Sequence, residues 1–294
     1  MPRRSFVLSA CLLVLLVLAG CEGGRDPAPS MAESPDAEAV TRAIETDLRA
    51  MANLPYNRRS VAEMAFGQRL RSDLEVCRGT RYENKPLYLL AQWTLVHGGE
   101  AGPTEVLRLV DRLEILPAPA FRKAGQALRV FALLRLGRLA EAKRIAVQLE
   151  GEVPEFGALR RVEFYEQIGL PAPPLPGTTV TGGGESSADG FVLVAFLGMP
   201  DAAAEAWLKP LKDAAGATVR TVAVATGGDL LAAATVASAW GVEVRWLRQG
   251  DPALAQWRVP VLPMSVLLGP GPQRIIVAVD VRPGQLTALA PKSH

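Results

Sequence analysis

The run Phe191-Val192-Leu193-Val194-Ala195-Phe196-Leu197 contains no polar residue. A strand with one wet face alternates apolar and polar side chains, so an unbroken apolar run suits a strand buried on both faces, with further layers above and below it. The residues that follow supply those layers. Residues 201–215 have a helical period, 218–225 read as a second strand, 229–240 as a second helix and 242–247 as a short strand. Residues 264–268 and 274–279 form an apparent hairpin around Gly269-Pro270-Gly271-Pro272, and 283–289 a last short helix. This succession predicts an α/β sandwich with a mixed sheet.

Upstream, the apolar period is that of a helix. Helices are expected over 36–53, 60–77, 85–97, 103–113, 118–136, 139–150 and 155–168, with breaks at Pro55, Gly79, Gly98-Gly99, Pro117, Gly137 and Gly151. The fold class is therefore α + α/β, with a helical domain over 36–170 and the sandwich over 190–294. Between them, residues 171–189 run Pro-Ala-Pro-Pro-Leu-Pro-Gly and then Thr-Gly-Gly-Gly-Glu-Ser-Ser, a composition expected of a linker, stiff and then flexible. Gly182-Gly183-Gly184 lacks the leading strand, the lysine and the following helix of a phosphate loop.

The N-terminus has a different character. Arg3 and Arg4 precede an apolar stretch from Phe6 to Leu18, too short for a stable membrane span, and the small residues Ala19 and Gly20 follow. Leu18-Ala19-Gly20-Cys21 resembles the bacterial lipobox. The resemblance implies a signal peptide over 1–20, cleavage before Cys21, a diacylglycerol on the Cys21 thiol and a protein anchored in the cell envelope facing the periplasm. Each buried CH₂ of such an anchor contributes about 0.8 kcal/mol. Glu22 after the cysteine, by the same resemblance, favours the outer membrane. Arg3-Arg4-Ser5-Phe6-Val7 also resembles a twin-arginine signal, which leaves the general secretory and twin-arginine routes both open. Residues 21–35 lack apolar periodicity and read as a flexible tether.

Composition excludes several functions. The 32 basic and 30 acidic residues become 30 and 30 once Arg3 and Arg4 leave with the signal, so no net basic field remains to attract nucleic acid. Of three cysteines only Cys77 stays unmodified in the mature chain, so no intramolecular disulfide can form. Phe66, Leu70, Leu74 and Cys77 share one helical face, which places the thiol in a core. His97, at a helix end, and His294 are the only histidines, too few for a histidine metal cluster or a hydrolase triad. No cofactor motif is present, and the tryptophans at 93, 207, 240, 246 and 257 are dispersed as core residues are.

The stretch from Ala127 to Pro154, with Gly137 at a tight turn and small Ala142 and Ala146 on the second helix, resembles one tetratricopeptide unit. A single such unit leaves a tetratricopeptide-like array of helical hairpins and a generic helical bundle both open. The array would bind proteins.

The C-terminal order of elements, and the stretch from Gly250 through Trp257-Arg258-Val259-Pro260-Val261-Leu262-Pro263-Met264 to Leu268, resemble the thioredoxin-like fold of membrane-attached bacterial redoxins over about residues 191–290. The resemblance implies a cis bond at Pro263 and, beside it, a groove for an extended peptide. In this sequence the groove would be formed by Met199, Pro200, Asp201, Val261, Leu262 and Pro263. The family's Cys-x-x-Cys would fall on Asp201-Ala202-Ala203-Ala204, so both thiols are missing and thiol-disulfide exchange by this module is excluded. Asp201 and Glu205 lie one turn apart, as first-turn carboxylates that favour a helix N-terminus. Two functions follow from these readings: a non-catalytic envelope protein that binds protein or peptide partners, or a redoxin-type thiol-disulfide oxidoreductase or redox accessory in which Cys77 or a partner chain supplies sulfur.

Overall fold

The computed structural model describes residues 33–54, 56–180, 190–216, 219–228, 230–248 and 250–289. The expected signal peptide, Cys21 and nearly all of the expected tether lie outside these residues. The described chain divides into two compact units between Val162 and Glu163. No helix of the described residues is long and apolar enough to cross a membrane.

The first unit comprises α1 (Pro35–Ala52), α2 (Tyr56–Cys77), α3 (Asn84–His97), α4 (Gly102–Glu114), α5 (Pro119–Arg135) and α6 (Leu139–Glu150), followed by a 3₁₀ turn (Pro154–Phe156) and most of α7 (Ala158–Tyr165). Local chemistry starts the first helix. Ser34 accepts a bond from the Ala37 amide, Pro35 occupies the first turn, and Asp36 and Glu38 face the positive end of the helix dipole.

Successive helices run antiparallel. Arg69 pairs with Asp47 and the Cys77 thiol reaches the Ala37 carbonyl across α1 and α2, while Arg129 reaches Asp111 at 2.6 Å and Glu114 at 2.8 Å across α4 and α5. Ala142 and Ala146 are fully buried, and their small side chains let α6 lie close on α5. Leu70, Leu87, Val106, Leu113 and Leu128 share one core. The helix expected over 155–168 is divided, because Gly157 adopts a left-handed conformation at φ 59° and α7 begins only after it.

The second unit is built on a six-stranded sheet of β1 (Thr178–Thr179), β2 (Phe191–Leu197), β3 (Val219–Ala225), β4 (Glu243–Trp246), β5 (Met264–Leu268) and β6 (Ile276–Val279), in the order β1-β4-β3-β2-β5-β6. β2 pairs parallel with β3 and antiparallel with β5, and β3 pairs parallel with β4. The central β2 is buried on both faces, as its unbroken apolar run requires. Val192, Val194 and Phe196 enter one core, and Leu193, Ala195 and Leu197 enter cores on the other side.

That other side is closed by α8 (Ala202–Ala215), α9 (Leu230–Trp240) and α11 (Pro283–Leu289), through Leu208, Leu211, Trp240 and Leu286. The Val192 side is closed by Trp257, just after the short α10 (Ala253–Gln256), and by a strap of chain that includes Phe164, Tyr165, Ala172 and Leu175.

The strap corrects the expectation of a linker starting at residue 171. Gly169 and Ala172 donate backbone bonds to the carbonyls of Ile276 and Arg274, Ile276 donates to Leu170, and Val180 donates to Val244. Thr178 and Thr179 pair with β4, and Arg245 donates to the carbonyls of Pro176 at 2.9 Å and Gly177 at 2.8 Å. Beneath that contact Glu243 is buried and neutralised by Arg220 and Arg245. Prolines here do not make a free spacer. They lack the amide that an outer edge would otherwise expose, so they end the sheet without inviting another strand. Residues 181–189, the second part of the expected linker, lie outside the described residues.

Candidate functional site

Two triplets meet at one end of the sheet. Phe196 is paired with Met264, so the chain leaving β2 through Met199, Pro200 and Asp201 emerges beside the chain entering β5 through Val261, Leu262 and Pro263. The Leu262-Pro263 bond is cis. Pro200 is buried, whereas Asp201, Val261, Leu262 and Pro263 are half-buried and Met199 is 42% exposed.

Asp201 is the N-cap of α8. One of its carboxylate oxygens accepts the amides of Ala203 and Ala204, both at 3.0 Å. It thus satisfies two of the amides that a helix leaves unpaired at its start and places negative charge at the positive end of the dipole. A thiolate at this position would be stabilised by those same amides. Here a carboxylate already holds them, and Ala202, Ala203 and Ala204 offer no nucleophile.

The neighbouring loop after β3 is tied to the same end. Thr226 donates its amide and hydroxyl to Leu197, and Gly227 donates to Gly198. Met199 lies so close over this loop that a Cβ on Gly227 would sit 2.8 Å from its sulfur, so a side chain at 227 would have to displace the end of Met199. Just beyond, Leu230 and Leu231 on the first turn of α9 are 48% and 76% exposed. These two leucines were not among the residues expected at the site. Their signal is an eleven-residue helix without a charged side chain.

The remaining candidates are structural. Cys77 is buried and its Sγ lies 3.8 Å from the Ala37 carbonyl. Burial pushes its pKa up, with Asp73 and Glu83 adding to the rise and a bond with Thr41 opposing it. The His97 ring packs against Trp93, 5.3 Å between centroids. Among the described residues no three His, Cys, Asp or Glu side chains converge as a metal site.

A sheet of this order, with parallel β2, β3 and β4, an antiparallel β5–β6 pair and a proline at the entry to β5, has the thioredoxin-like arrangement that the sequence resembles. Comparison with solved structures finds thioredoxin-like proteins. The thioredoxin domain of a thiol-disulfide oxidoreductase from Bacteroides vulgatus is 19% identical, covering 41% of this chain and 93% of that one, with a TM-score of 0.35. A thioredoxin-like protein from Parabacteroides distasonis is 13% identical over 41% of this chain and 94% of that one, with a TM-score of 0.30. Another from Bacteroides caccae is 12% identical over 91% of this chain and 97% of that one, with a TM-score of 0.37. No protein-family model and no curated protein matches the sequence.

Proposed function

We propose that this chain is a lipid-anchored protein of the bacterial envelope, facing the periplasm, whose helical unit and thioredoxin-like unit bind protein or peptide partners without thiol chemistry. The observation that carries this reading is the cap. Asp201 stands where a thioredoxin-like enzyme would carry its first cysteine, its carboxylate is engaged with two amides, and no cysteine lies anywhere between residues 163 and 294. The end of the sheet nevertheless retains an apolar surface. Met199 and Leu262 offer side-chain contacts, and the backbone of Leu262 offers bonds to an extended peptide, the mode in which main-chain pairing supplies affinity and side chains supply specificity.

The lipobox-like Leu18-Ala19-Gly20-Cys21 supports the anchor, and Glu22 supports sorting to the outer membrane. Antiparallel packing of successive helices, with buried Ala142 and Ala146 at the α5–α6 contact, supports a tetratricopeptide-like reading of the first unit. Burial of Cys77 weighs against its serving as a redox centre.

The test has two arms. The full-length protein should fail to reduce insulin in the presence of a dithiol regenerant. A photo-crosslinking residue at position 199 should capture a defined partner in the native envelope, and the capture should weaken when Leu262 is replaced by Asp. Insulin reduction above the regenerant background would overturn the non-catalytic reading. Absence of any capture from position 199 would overturn the binding role of the thioredoxin-like unit.

A further inference from the structure

Gln167 is a polar side chain buried in the strap, 5% exposed. Its Nε2 donates to the Trp257 carbonyl at 2.9 Å and, less closely, to the Phe164 carbonyl at 3.3 Å. The residues on either side hold it in place. Phe164 and Tyr165 belong to the apolar cluster on that face of the sheet, and Gly169 donates to the Ile276 carbonyl of β6 at 2.8 Å.

The carbonyl that Gln167 holds stands just before a strained turn. Arg258 has φ 47°, in the left-handed region where residues other than glycine seldom sit. The peptide plane between Trp257 and Arg258 takes part in that torsion, so a donor fixed on the Trp257 carbonyl holds the turn in its conformation. Two amides close the same turn: Arg258 donates to Ala255 at 3.0 Å and Val259 to Leu254 at 3.3 Å. From there the chain runs Val259-Pro260-Val261-Leu262-Pro263, and its last three residues are one side of the groove. Val259, Val261 and Leu262 pack against the cluster that contains Phe164 and Trp257. The strap thus holds the start of this segment by a hydrogen bond and shares an apolar core with the rest of it.

We propose that Gln167 is a positioning residue for the peptide groove, acting through the Trp257 carbonyl and the Arg258 turn to set where Leu262 presents its backbone. The inference rests on the peptide-binding reading above and adds that the strap, as well as the sheet, determines the shape of the groove. Gln167 is buried and meets no peptide itself. A groove side fixed in advance spares the complex the cost of ordering it, so loosening the turn weakens binding although every contacting side chain is retained.

The variants are made in the full-length protein carrying the photo-crosslinking residue at position 199. Gln167→Met keeps the length of the side chain and removes the donor. Leu286→Ala is the control, because Leu286 is fully buried in a core on the opposite face of the sheet and its truncation destabilises the same unit. With Gln167→Met, capture from position 199 should fall about fivefold, and amide exchange at Arg258 and Val259 should quicken by a similar factor while β2 exchanges as in the parent. Leu286→Ala should leave capture and the exchange at Arg258 and Val259 much closer to the parent. Glycine enters the left-handed region freely and the Arg258 side chain is exposed, so adding Arg258→Gly to Gln167→Met should restore capture. If Gln167→Met alters the circular dichroism, Gln167→Asn, which keeps the amide and shortens its reach, replaces it. Parental exchange at Arg258 and Val259, an equal loss of capture in Leu286→Ala, or no restoration by Arg258→Gly would overturn the proposal. If the parent captures its partner and Gln167→Met captures it equally, this inference alone falls. If the parent captures nothing, the binding reading falls and this inference with it.

Discussion

The indole N–H of Trp257 donates to the carbonyl of Pro174 at 3.1 Å. The same ring is fully buried and packs against Phe196 of the central strand, 5.2 Å between centroids, so one side chain joins the strap to the sheet. Gln167 strengthens the junction by donating to the Trp257 carbonyl at 2.9 Å.

Replacing Trp257 separates its two contributions. Trp257→Phe keeps an aromatic ring but leaves the Pro174 carbonyl without its donor, a loss of about 1–3 kcal/mol. Trp257→Ala also opens a cavity and should cost about 3–5 kcal/mol. Urea unfolding of the two variants checks the ranking. If the two lose the same stability, packing of the ring contributes little.

The strap should resist proteolysis. Its backbone between residues 169 and 180 is engaged with Arg274, Ile276, Val244 and Arg245, and an engaged backbone is a poor protease substrate. Brief thermolysin digestion followed by mass spectrometry should find no early cut from 171 to 180. A chain starting at residue 190 lacks the strap and leaves the Val192–Val194–Phe196 face covered on that side by Trp257 and its neighbours alone. It should be less soluble than one starting at residue 157. Rapid cleavage inside the strap, or equal solubility of the two truncated chains, would contradict this.

Cys77 should react slowly. Burial raises its pKa, so the native state holds the thiol proton to higher pH than the unfolded chain does. The stability linked to that proton is fully present below the unfolded thiol's pKa, near about 8.5, and is lost as pH rises through the higher native value. Iodoacetamide at pH 8 should label Cys77 slowly in the native protein and quickly in urea, and the midpoint of urea unfolding should fall as pH rises above about 8.5. Equal labelling rates would show that the thiol is not buried.

The anchor depends on one sulfur. Cys21→Ser removes the group that the lipid would alkylate, so the variant should take up no radiolabelled palmitate and should remain an uncleaved precursor or be released. Fractionation of a mature-length Ser variant with the membranes, as the parent does, would contradict the lipoprotein reading.

Much of the fold was legible in the sequence because it follows from local patterns. The seven apolar residues from Phe191 to Leu197 are β2 residue for residue, and Met264–Leu268 and Pro283–Leu289 likewise appear where expected. Asp201 read as a helix start, and it caps α8. The missing thiols at positions 201 to 204 are a fact of the sequence alone. The strap was not legible, since its prolines and lack of apolar period match a linker equally well.

Period, capping residues and residue identity determine how a segment behaves on its own, and from them the chain's helices, its buried central strand and its lack of a dithiol followed. Tertiary structure decided which distant segments meet. Pro174 finds Trp257 83 residues away, and Lys123 meets Glu152 only because α5 and α6 pack side by side. Contacts of that kind have no local signature. Their free energy comes from burying surfaces that become complementary only once the sheet and the helices have formed.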